Sequence, residues 1–263
     1  MGEHLLFENS WGAFTVASRG ASLLSLQLGG RELLYDFGDQ WHQWASGAVM
    51  FPFPVRMASG TVMHFEGVEY PWPINDEKHS AALHGFAPWE EFELTQLLNG
   101  IQASWTYDGS KDYYPFPCEL TISYILEERC LTLACRVENR GQGKLPFHMG
   151  WHPYFKVGDR PALGPEPAHR LKKNEVSHPG RKIQFQGFDW SLEVDGAFFM
   201  ESAQLESIEI QPMSTITQVF RPAGAPFVAI EPITGLGHPD FPWRTVLPGE
   251  ADEFVTTIRL RGR

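Results

Sequence analysis

The 263-residue chain is short of positive charge, and it contains no long hydrophobic run. It has 21 lysines and arginines against 32 aspartates and glutamates, which gives a formal net charge of −11. Because nucleic-acid phosphates are neutralised by clustered Lys and Arg, this balance argues against a nucleic-acid partner. The apolar stretches fall far below the roughly 20 residues that a membrane helix requires. The N-terminus also lacks the basic and apolar segments of a signal peptide, so we expect no association with a membrane.

Cysteine is scarce as well, with only Cys118, Cys130 and Cys135 in the whole chain. An odd number without a C-x-x-C pair is typical of reduced thiols in a cytoplasmic protein. We therefore predict a cytoplasmic location and interpret all three cysteines as packing residues.

Ten histidines raise the question of a metal site. His148 and His152 are four residues apart, but Gly150 and Pro153 disfavour the helix that would align them. No H-E-x-x-H, no H-x-H and no cysteine pair at zinc spacing is present, so the sequence disfavours metal binding. The G-x-S-x-G motif of serine nucleophiles and the glycine-rich motifs that bind nucleotide phosphates are absent too.

Alternating apolar and polar residues run through much of the chain, whereas clean helical stripes are missing. Residues 120–126 and 131–137 form two period-2 segments joined by a polar turn, the pattern of an antiparallel hairpin. A second hairpin is predicted from segments 92–98 and 101–107 around Asn99-Gly100, because both turn residues tolerate positive φ. Further strands are expected at Leu205–Ile210, Thr215–Phe220, Phe227–Glu231 and Glu253–Leu260.

Many short strands separated by frequent turns predict an all-β protein, either a sandwich or a barrel. Only the proline-rich stretch Gly158–Gly180 resembles a linker. Strand-like segments on both sides of it favour a long surface loop instead. We therefore expect a single domain over residues 1–263.

Five ionisable residues lie in segments otherwise rich in aromatic residues, proline and glycine: Arg56, His84, His152, Asp195 and Glu231. Glu231 ends the apolar run that starts at Phe227, where a carboxylate either serves chemistry or reaches water at the end of a strand. Taken singly, each histidine is better explained as a core or rim residue, and Arg56 as part of a salt bridge. Asp195, which precedes a glycine, fits a turn equally well.

Taken together and in this order, these segments resemble the aldose 1-epimerase, or galactose mutarotase-like, family. The similarity extends from about Gly12 to Leu260, and each of its six motifs is short. The motifs are Pro54-Val55-Arg56, Leu83-His84-Gly85-Phe86, Leu145 through Phe155, Asp195-Gly196-Ala197-Phe198, Phe227 through Pro232, and Leu247-Pro248-Gly249-Glu250. The resemblance implies a large antiparallel β-sandwich, interconversion of the α and β anomers of free aldoses, and no cofactor.

By the same resemblance, Glu231 is the base that takes the proton of the C1 hydroxyl, and His152 is the acid that protonates the ring oxygen. A histidine that titrates near neutrality suits this task. Arg56 and His84 would bind sugar oxygens or stabilise developing charge, and Asp195 would bind a hydroxyl of the substrate. Apolar walls would raise the pKa of Glu231 and Arg56 would lower it, so the sign of the net shift stays open.

Departures from the family pattern bear on the substrate. Val55 stands where classical galactose mutarotases tend to have Asn, and Lys156 stands where the family often has Asn. Pro88 occupies the position at which the hexose-6-phosphate branch often has an arginine that meets the phosphate. Together with the net charge of −11, this favours a neutral hexose or related sugar as the small-molecule partner. The alternatives are a hexose-6-phosphate mutarotase and a non-catalytic carbohydrate-binding protein.

Overall fold

The computed structural model describes residues 2–57, 60–157, 162–164, 168–170, 188–194, 197–201, 207–211, 213–214, 216–237 and 242–261. These residues form antiparallel strands with very little helix, which confirms the all-β prediction. The strands up to residue 139 are β1 (His4–Asn9), β2 (Gly12–Ala17), β3 (Ser22–Leu28), β4 (Arg31–Glu32), β5 (Val49–Met50), β6 (Val62–Phe65), β7 (Val68–Pro71), β8 (Glu93–Leu97), β9 (Gly100–Tyr107), β10 (Cys118–Glu127) and β11 (Cys130–Asn139).

The later strands are β12 (Leu145–Phe147), β13 (Gly150–Trp151), β14 (Tyr154–Lys156), β15 (Ala162–Gly164), β16 (Ala168–Arg170), β17 (Phe188–Val194), β18 (Phe198–Glu201), β19 (Ser207–Gln211), β20 (Ile216–Arg221), β21 (Phe227–Ile233), β22 (Arg244–Val246) and β23 (Ala251–Arg261). Short 3-10 helices lie at Gly38–Gln40, Glu77–His79 and Ala87–Trp89. No helix in the described part of the chain is long and apolar enough to cross a membrane.

Two large sheets form the body of the fold. One has eight strands in the order β15-β18-β19-β23-β11-β10-β9-β8. The other has seven, with the order β16-β17-β20-β21-β13-β5 and with β14 paired to β21. Ile122 and Val137 of the first sheet belong to the same hydrophobic core as Val219 and Ile230 of the second. The apolar faces of the two sheets are therefore packed together as in a sandwich.

The hairpin predicted from residues 120–137 is confirmed as β10 and β11. Its strands pair from Cys118↔Asn139 to Glu127↔Cys130, with alternate residues buried. Glu128 and Arg129 form the two-residue turn, and both have positive φ, 49° and 61°. Such a turn matches the right-handed twist of the strands, even though neither residue is a glycine.

The hairpin between β8 and β9 is also confirmed, but its turn lies one residue earlier than predicted. Leu97 pairs with Gly100, so that Leu98 and Asn99 form the turn, and neither has positive φ. Gly100 instead passes so close to β10 that a Cβ atom would lie 1.8 Å from the carbonyl oxygen of Tyr124. The glycine is required by this close approach rather than by the turn.

The other predicted strands correspond to β19, β20, β21 and β23; the start of β21 is as predicted, and the other ends are shifted by one or two residues. Within Gly158–Gly180 the structure describes two short strands, β15 and β16, and the remainder of that segment lies outside the described residues. The three cysteines are buried and form no disulfide, as expected for packing residues.

Candidate active site

One face of the seven-stranded sheet has a row of polar side chains across three neighbouring strands. Glu231 of β21 lies opposite Gln218 of β20, which lies opposite Ser191 of β17. The hydroxyl of Ser191 donates to Oε1 of Gln218 (2.6 Å), and Nε2 of Gln218 donates to Oδ1 of Asp189. Because residues two apart on a strand share a face, Asp189 projects on the same side as Ser191. The row therefore brings two carboxyl groups, Asp189 and Glu231, to one surface of the sheet.

His152 is fixed beside this row by its backbone. It lies between β13 and β14, where its N–H donates to the carbonyl of Ala48 (3.0 Å) and its carbonyl accepts from Gly47 (2.8 Å). The imidazole stacks on Tyr154, with ring centroids 4.7 Å apart. Its Nε2 lies 3.6 Å from Oε1 of Glu231, which is too long for a direct hydrogen bond.

Arg56 and His84 reach the site from two left-handed backbone positions. Val55 has φ of +53° and His84 has φ of +61°, and the N–H of His84 donates to the carbonyl of Val55 (3.0 Å). Arg56 in turn forms an isolated antiparallel bridge with Leu83. Left-handed φ is a strained conformation for a β-branched residue such as valine, and strain of this kind is concentrated at functional sites. The ring of His84 meets that of His152 edge-on, with centroids 4.9 Å apart.

Four of the five predicted residues, Arg56, His84, His152 and Glu231, line one cleft. The cleft is open to solvent at its mouth, and water-sized molecules can occupy about 180 Å³ of it. Aromatic side chains form part of its walls: Trp44, Trp89, Tyr154 and Phe220.

The fifth predicted residue, Asp195, lies outside the described residues. Asp189 lines the cleft instead, and the sequence analysis missed it. The available signal was the alternation of residues 188–194, which places Asp189, Ser191 and Glu193 on one face of a strand.

Two carboxylates hold the guanidinium of Arg56. Its Nε donates to Oδ2 of Asp76 (2.5 Å), and its Nη1 donates to Oδ2 of Asp189 (3.0 Å). Burial opposes the charge of Arg56, but the hydrogen bonds and charges of Asp76 and Asp189 outweigh it and raise the pKa of Arg56. Burial likewise opposes the charge of Asp76, yet the hydrogen bonds with Arg56 and His79 lower the pKa of that carboxyl.

Burial decides the protonation of the deeper groups. It raises the pKa of Glu231 well above its ordinary value, and the charge of Asp189 adds to this effect while Arg56 opposes it. Burial also lowers the pKa of His152 to about 3, and together with the charges of His152 and Arg56 it lowers the pKa of His84. Burial thus favours the neutral form of both imidazoles and the protonated, neutral form of Glu231. The expectation that His152 titrates near neutrality is wrong. The net pKa shift of Glu231, whose sign the sequence left open, is upward.

The pair of Glu231 and His152 has hydrogen-bonding capacity that the described residues do not use. Both side chains are almost fully buried, with 2% and 5% exposure. Oε2 of Glu231 has no hydrogen-bond partner in the described part of the chain. Among the described residues, no group of three or more His, Cys, Asp or Glu side chains is arranged to hold a metal ion. The chemistry that these groups offer is the transfer of protons to and from a bound molecule.

Sequence comparison gives two results. A sequence profile of the family described as aldose 1-epimerase matches residues 4–182, more than half of the chain. The protein YihR of Escherichia coli strain K12, described as uncharacterized, is 28% identical over 143 residues. The aligned part covers 54% of this chain and 46% of YihR, so the chain spans about half the length of this relative.

Solved structures similar over nearly the full length include three from this fold family. A galactose mutarotase-like protein from Lactobacillus casei has a TM-score of 0.79 and 20% identity, covering 98% of this chain and 100% of the other. The GalM/aldose epimerase homologue from C. elegans has a TM-score of 0.82 and 14% identity, covering 100% and 99%. The galactose 1-epimerase from Lactobacillus acidophilus has a TM-score of 0.76 and 13% identity, covering 100% and 99%. At these identities the likeness shows a shared fold, and it confirms the predicted mutarotase-like β-sandwich.

Proposed function

Because the chain belongs to the aldose 1-epimerase family, we propose that it interconverts the α and β anomers of a neutral aldose. The observation that supports this most directly is the buried pair of Glu231 and His152, whose Oε1 and Nε2 atoms are 3.6 Å apart and which lines an open cleft. Anomer exchange needs one group that takes the proton of the C1 hydroxyl and another that protonates the ring oxygen. A non-catalytic binding protein would need no such pair.

The reaction requires one proton shared between the two groups. Burial favours the proton on Glu231 over His152 in the free protein, and its transfer to His152 gives a carboxylate and an imidazolium. Sugar hydroxyls that donate to the carboxylate, together with the charge of Arg56, favour this form. Glu231 then accepts the C1 hydroxyl proton while His152 protonates the ring oxygen, so that the C1–O5 bond breaks and the aldehyde forms. After rotation about C1–C2, ring closure on the other face reverses both proton transfers.

Arg56, His84 and Asp189 are the groups that bind the sugar in this proposal. Arg56 keeps N–H groups beyond the two that its carboxylate partners use, and a carboxylate such as Asp189 accepts hydrogen bonds from hydroxyls. Asp189 thereby takes the role that the sequence analysis gave to Asp195, whose own role stays a prediction. The aromatic walls of the cleft offer flat apolar surface to the C–H face of a pyranose.

The charges around Arg56 favour a neutral sugar over a hexose 6-phosphate. Among the described residues that line the cleft, Arg56 is the one lysine or arginine. Its positive charge is offset by both Asp76 and Asp189. A phosphate bound beside Arg56 would find no excess of positive charge around it. It would therefore gain little from charge-assisted hydrogen bonds.

The test is the rate of anomer exchange, followed by polarimetry or one-dimensional NMR on freshly dissolved α-D-glucose and α-D-galactose. We expect the protein to accelerate exchange. We also expect Glu231→Gln to lower kcat about 10²- to 10⁴-fold, the usual contribution of general acid–base catalysis. Glu8→Gln removes a similar charge from an exposed position on β1 and should leave the rate unchanged.

Each other result points to a different conclusion. Undiminished exchange in Glu231→Gln would overturn the catalytic assignment. Exchange of glucose 6-phosphate alone, weakened by salt, would establish the phosphosugar alternative. Sugar binding without exchange of any of the three sugars would establish a binding protein.

A further inference from the structure

The guanidinium of Arg56 meets its two carboxylate partners on different edges. Asp76 accepts from Nε at 2.5 Å, and Asp189 accepts from Nη1 at 3.0 Å. Arg56 therefore holds Asp189 by one N–H only, although arginine and carboxylate groups readily form two parallel hydrogen bonds. The other oxygen, Oδ1, accepts from Nε2 of Gln218. The Asp76 side chain is 12% exposed, whereas that of Asp189 is 38% exposed and faces the cleft.

A pinned loop presents Asp76 to Arg56. The Asn75 amide donates to the carbonyl of Leu83 (2.9 Å) and accepts from its N–H (2.7 Å), which ties the two ends of the loop together. Asp76 and Ala81 exchange backbone hydrogen bonds inside it. His79 contacts both oxygens of the Asp76 carboxylate, at 3.0 and 2.8 Å. The position of Asp76 is thus fixed by the loop and does not depend on Arg56.

We propose that Asp76 is a positioning residue: by holding Nε of Arg56 it fixes the orientation of the guanidinium, so that Asp189 contacts Nη1 alone and no bidentate pair through Nη1 and Nη2 forms between Arg56 and Asp189. This inference rests on the function proposed above and concerns the same cleft. Without Asp76, the guanidinium would turn about its Cδ–Nε bond and close on Asp189 with two N–H groups. That closure would withdraw both the Asp189 oxygens and the free N–H groups of Arg56 from the sugar. With Asp76 in place, both residues keep hydrogen-bonding capacity for hydroxyls.

The kinetic test compares Asp76→Ala and Asp76→Asn with the protein itself. We expect Asp76→Ala to lower kcat/KM about 10- to 100-fold, the scale of losses from misplaced site groups. Most of this loss should appear as a higher KM, because the lost contacts act on the bound sugar. Asp76→Asn keeps an acceptor oxygen and should lose less. Glu77→Gln removes a charge from the neighbouring exposed residue and should match the parent protein.

A second measurement distinguishes a positioning role from a merely structural one. The Asp189→Asn substitution weakens the pairing of Arg56 with Asp189 that Asp76 opposes. In a double-mutant cycle, the fold-decrease in kcat/KM caused by Asp76→Ala should therefore be at least threefold smaller in the Asp189→Asn background than in the parent. If the decreases of the two single variants simply multiply in the double variant, Asp76 does not act through Asp189, and the proposal would be overturned. If Asp76→Ala does not fold, the cycle is run with Asp76→Asn.

A third measurement needs no activity. In ¹⁵N-labelled protein, the Nε–H signal of Arg56 is assigned by its loss in Arg56→Lys. We expect slow solvent exchange of this proton in the parent and in Glu77→Gln, and faster exchange in the Asp76 variants. An unchanged Nε–H signal in those variants would overturn the inference even if the protein is an epimerase. If the Nε–H signal changes in the Asp76 variants but the parent protein accelerates no anomer exchange, the result would count against the proposed function. The contact between Asp76 and Nε of Arg56 would still be supported.

Discussion

Replacing His152 by asparagine should change how the stability of the protein depends on pH. Burial lowers the pKa of this histidine from 6.5 to about 3, so the folded protein keeps it neutral where the unfolded chain protonates it. A group whose folded pKa is lowered stabilises the fold above its unfolded pKa, and that stabilisation is lost as the pH falls. The pH window is therefore from about 6.5 down to about 3.

The size of the effect follows from the two pKa values. At pH 7 about a quarter of unfolded molecules have this histidine protonated, and at pH 5 nearly all do. The folded protein binds almost no proton at this position at either pH. The linkage relation then gives a loss of about 2 kcal/mol in the free energy of unfolding between pH 7 and pH 5. Asparagine does not titrate, so the His152→Asn variant lacks this loss.

The assay is urea unfolding of both proteins at pH 7, 6 and 5, with free energies from linear extrapolation. Taking the difference between parent and variant cancels the contributions of titrating groups that are remote from His152. We expect the difference to shift by about 2 kcal/mol in favour of the variant as the pH falls from 7 to 5. Tyr154→Phe is the control, because it alters the ring stacked on His152 and the pKa of Tyr154 is above 10. A difference that stays constant with pH would refute the reasoning.

Three further predictions concern the backbone of the site and its reaction. Val55→Asn should raise the free energy of unfolding by up to about 1 kcal/mol, because asparagine tolerates the left-handed φ of +53° better than valine does. A variant that is less stable than the parent in thermal unfolding would contradict this. Gly85→Ala should destabilise the protein by at least about 2 kcal/mol, since a Cβ would lie 2.1 Å from a carbonyl oxygen. Gly67→Ala, also at positive φ but with nothing within 4 Å, should cost clearly less. In the folded protein, kcat/KM should not decline as the pH falls from 7 to 5, because the pKa of His152 is about 3, and it should fall as the pH rises through the raised pKa of Glu231. A tenfold drop towards pH 5 would show that His152 titrates near neutrality.

The left-handed conformation of Val55 bears on one departure from the family pattern described above, where asparagine is expected at this position. Asparagine is among the residues that adopt positive φ most readily. Here valine adopts this conformation, with φ of +53°. The substitution therefore bears on backbone strain beside Arg56 as well as on substrate preference.

The strands were predictable where the pattern is local. Alternation of apolar and polar residues located β10 and β11, because a strand with one face on the core needs a buried side chain at every second position. The turn at Asn99-Gly100 was placed one residue too late, since sequence cannot tell a glycine needed for turn geometry from one needed for close backbone approach. The prediction of a single domain stays a prediction.

The candidate site was predictable from motifs as far as the motifs reach. Arg56, His84, His152 and Glu231 belong to short segments in a specific order, and the structure brings all four to one cleft. Asp189 and Asp76 were missed because their importance comes from their neighbours. Asp189 faces the cleft only because β17 pairs with β20, and Asp76 reaches Arg56 only because its loop is pinned at both ends.

The sequence by itself determined the fold class, the family and most of the ionisable groups of the site, because these follow from local alternation and from short ordered motifs. Tertiary structure alone decided the protonation of those groups. Glu231 and His152 are buried together, and removing them from water shifts their pKa values in opposite directions, so that the neutral form of each is favoured. Burial and the distances between charges arise only when distant segments pack, and no local pattern in the chain encodes them.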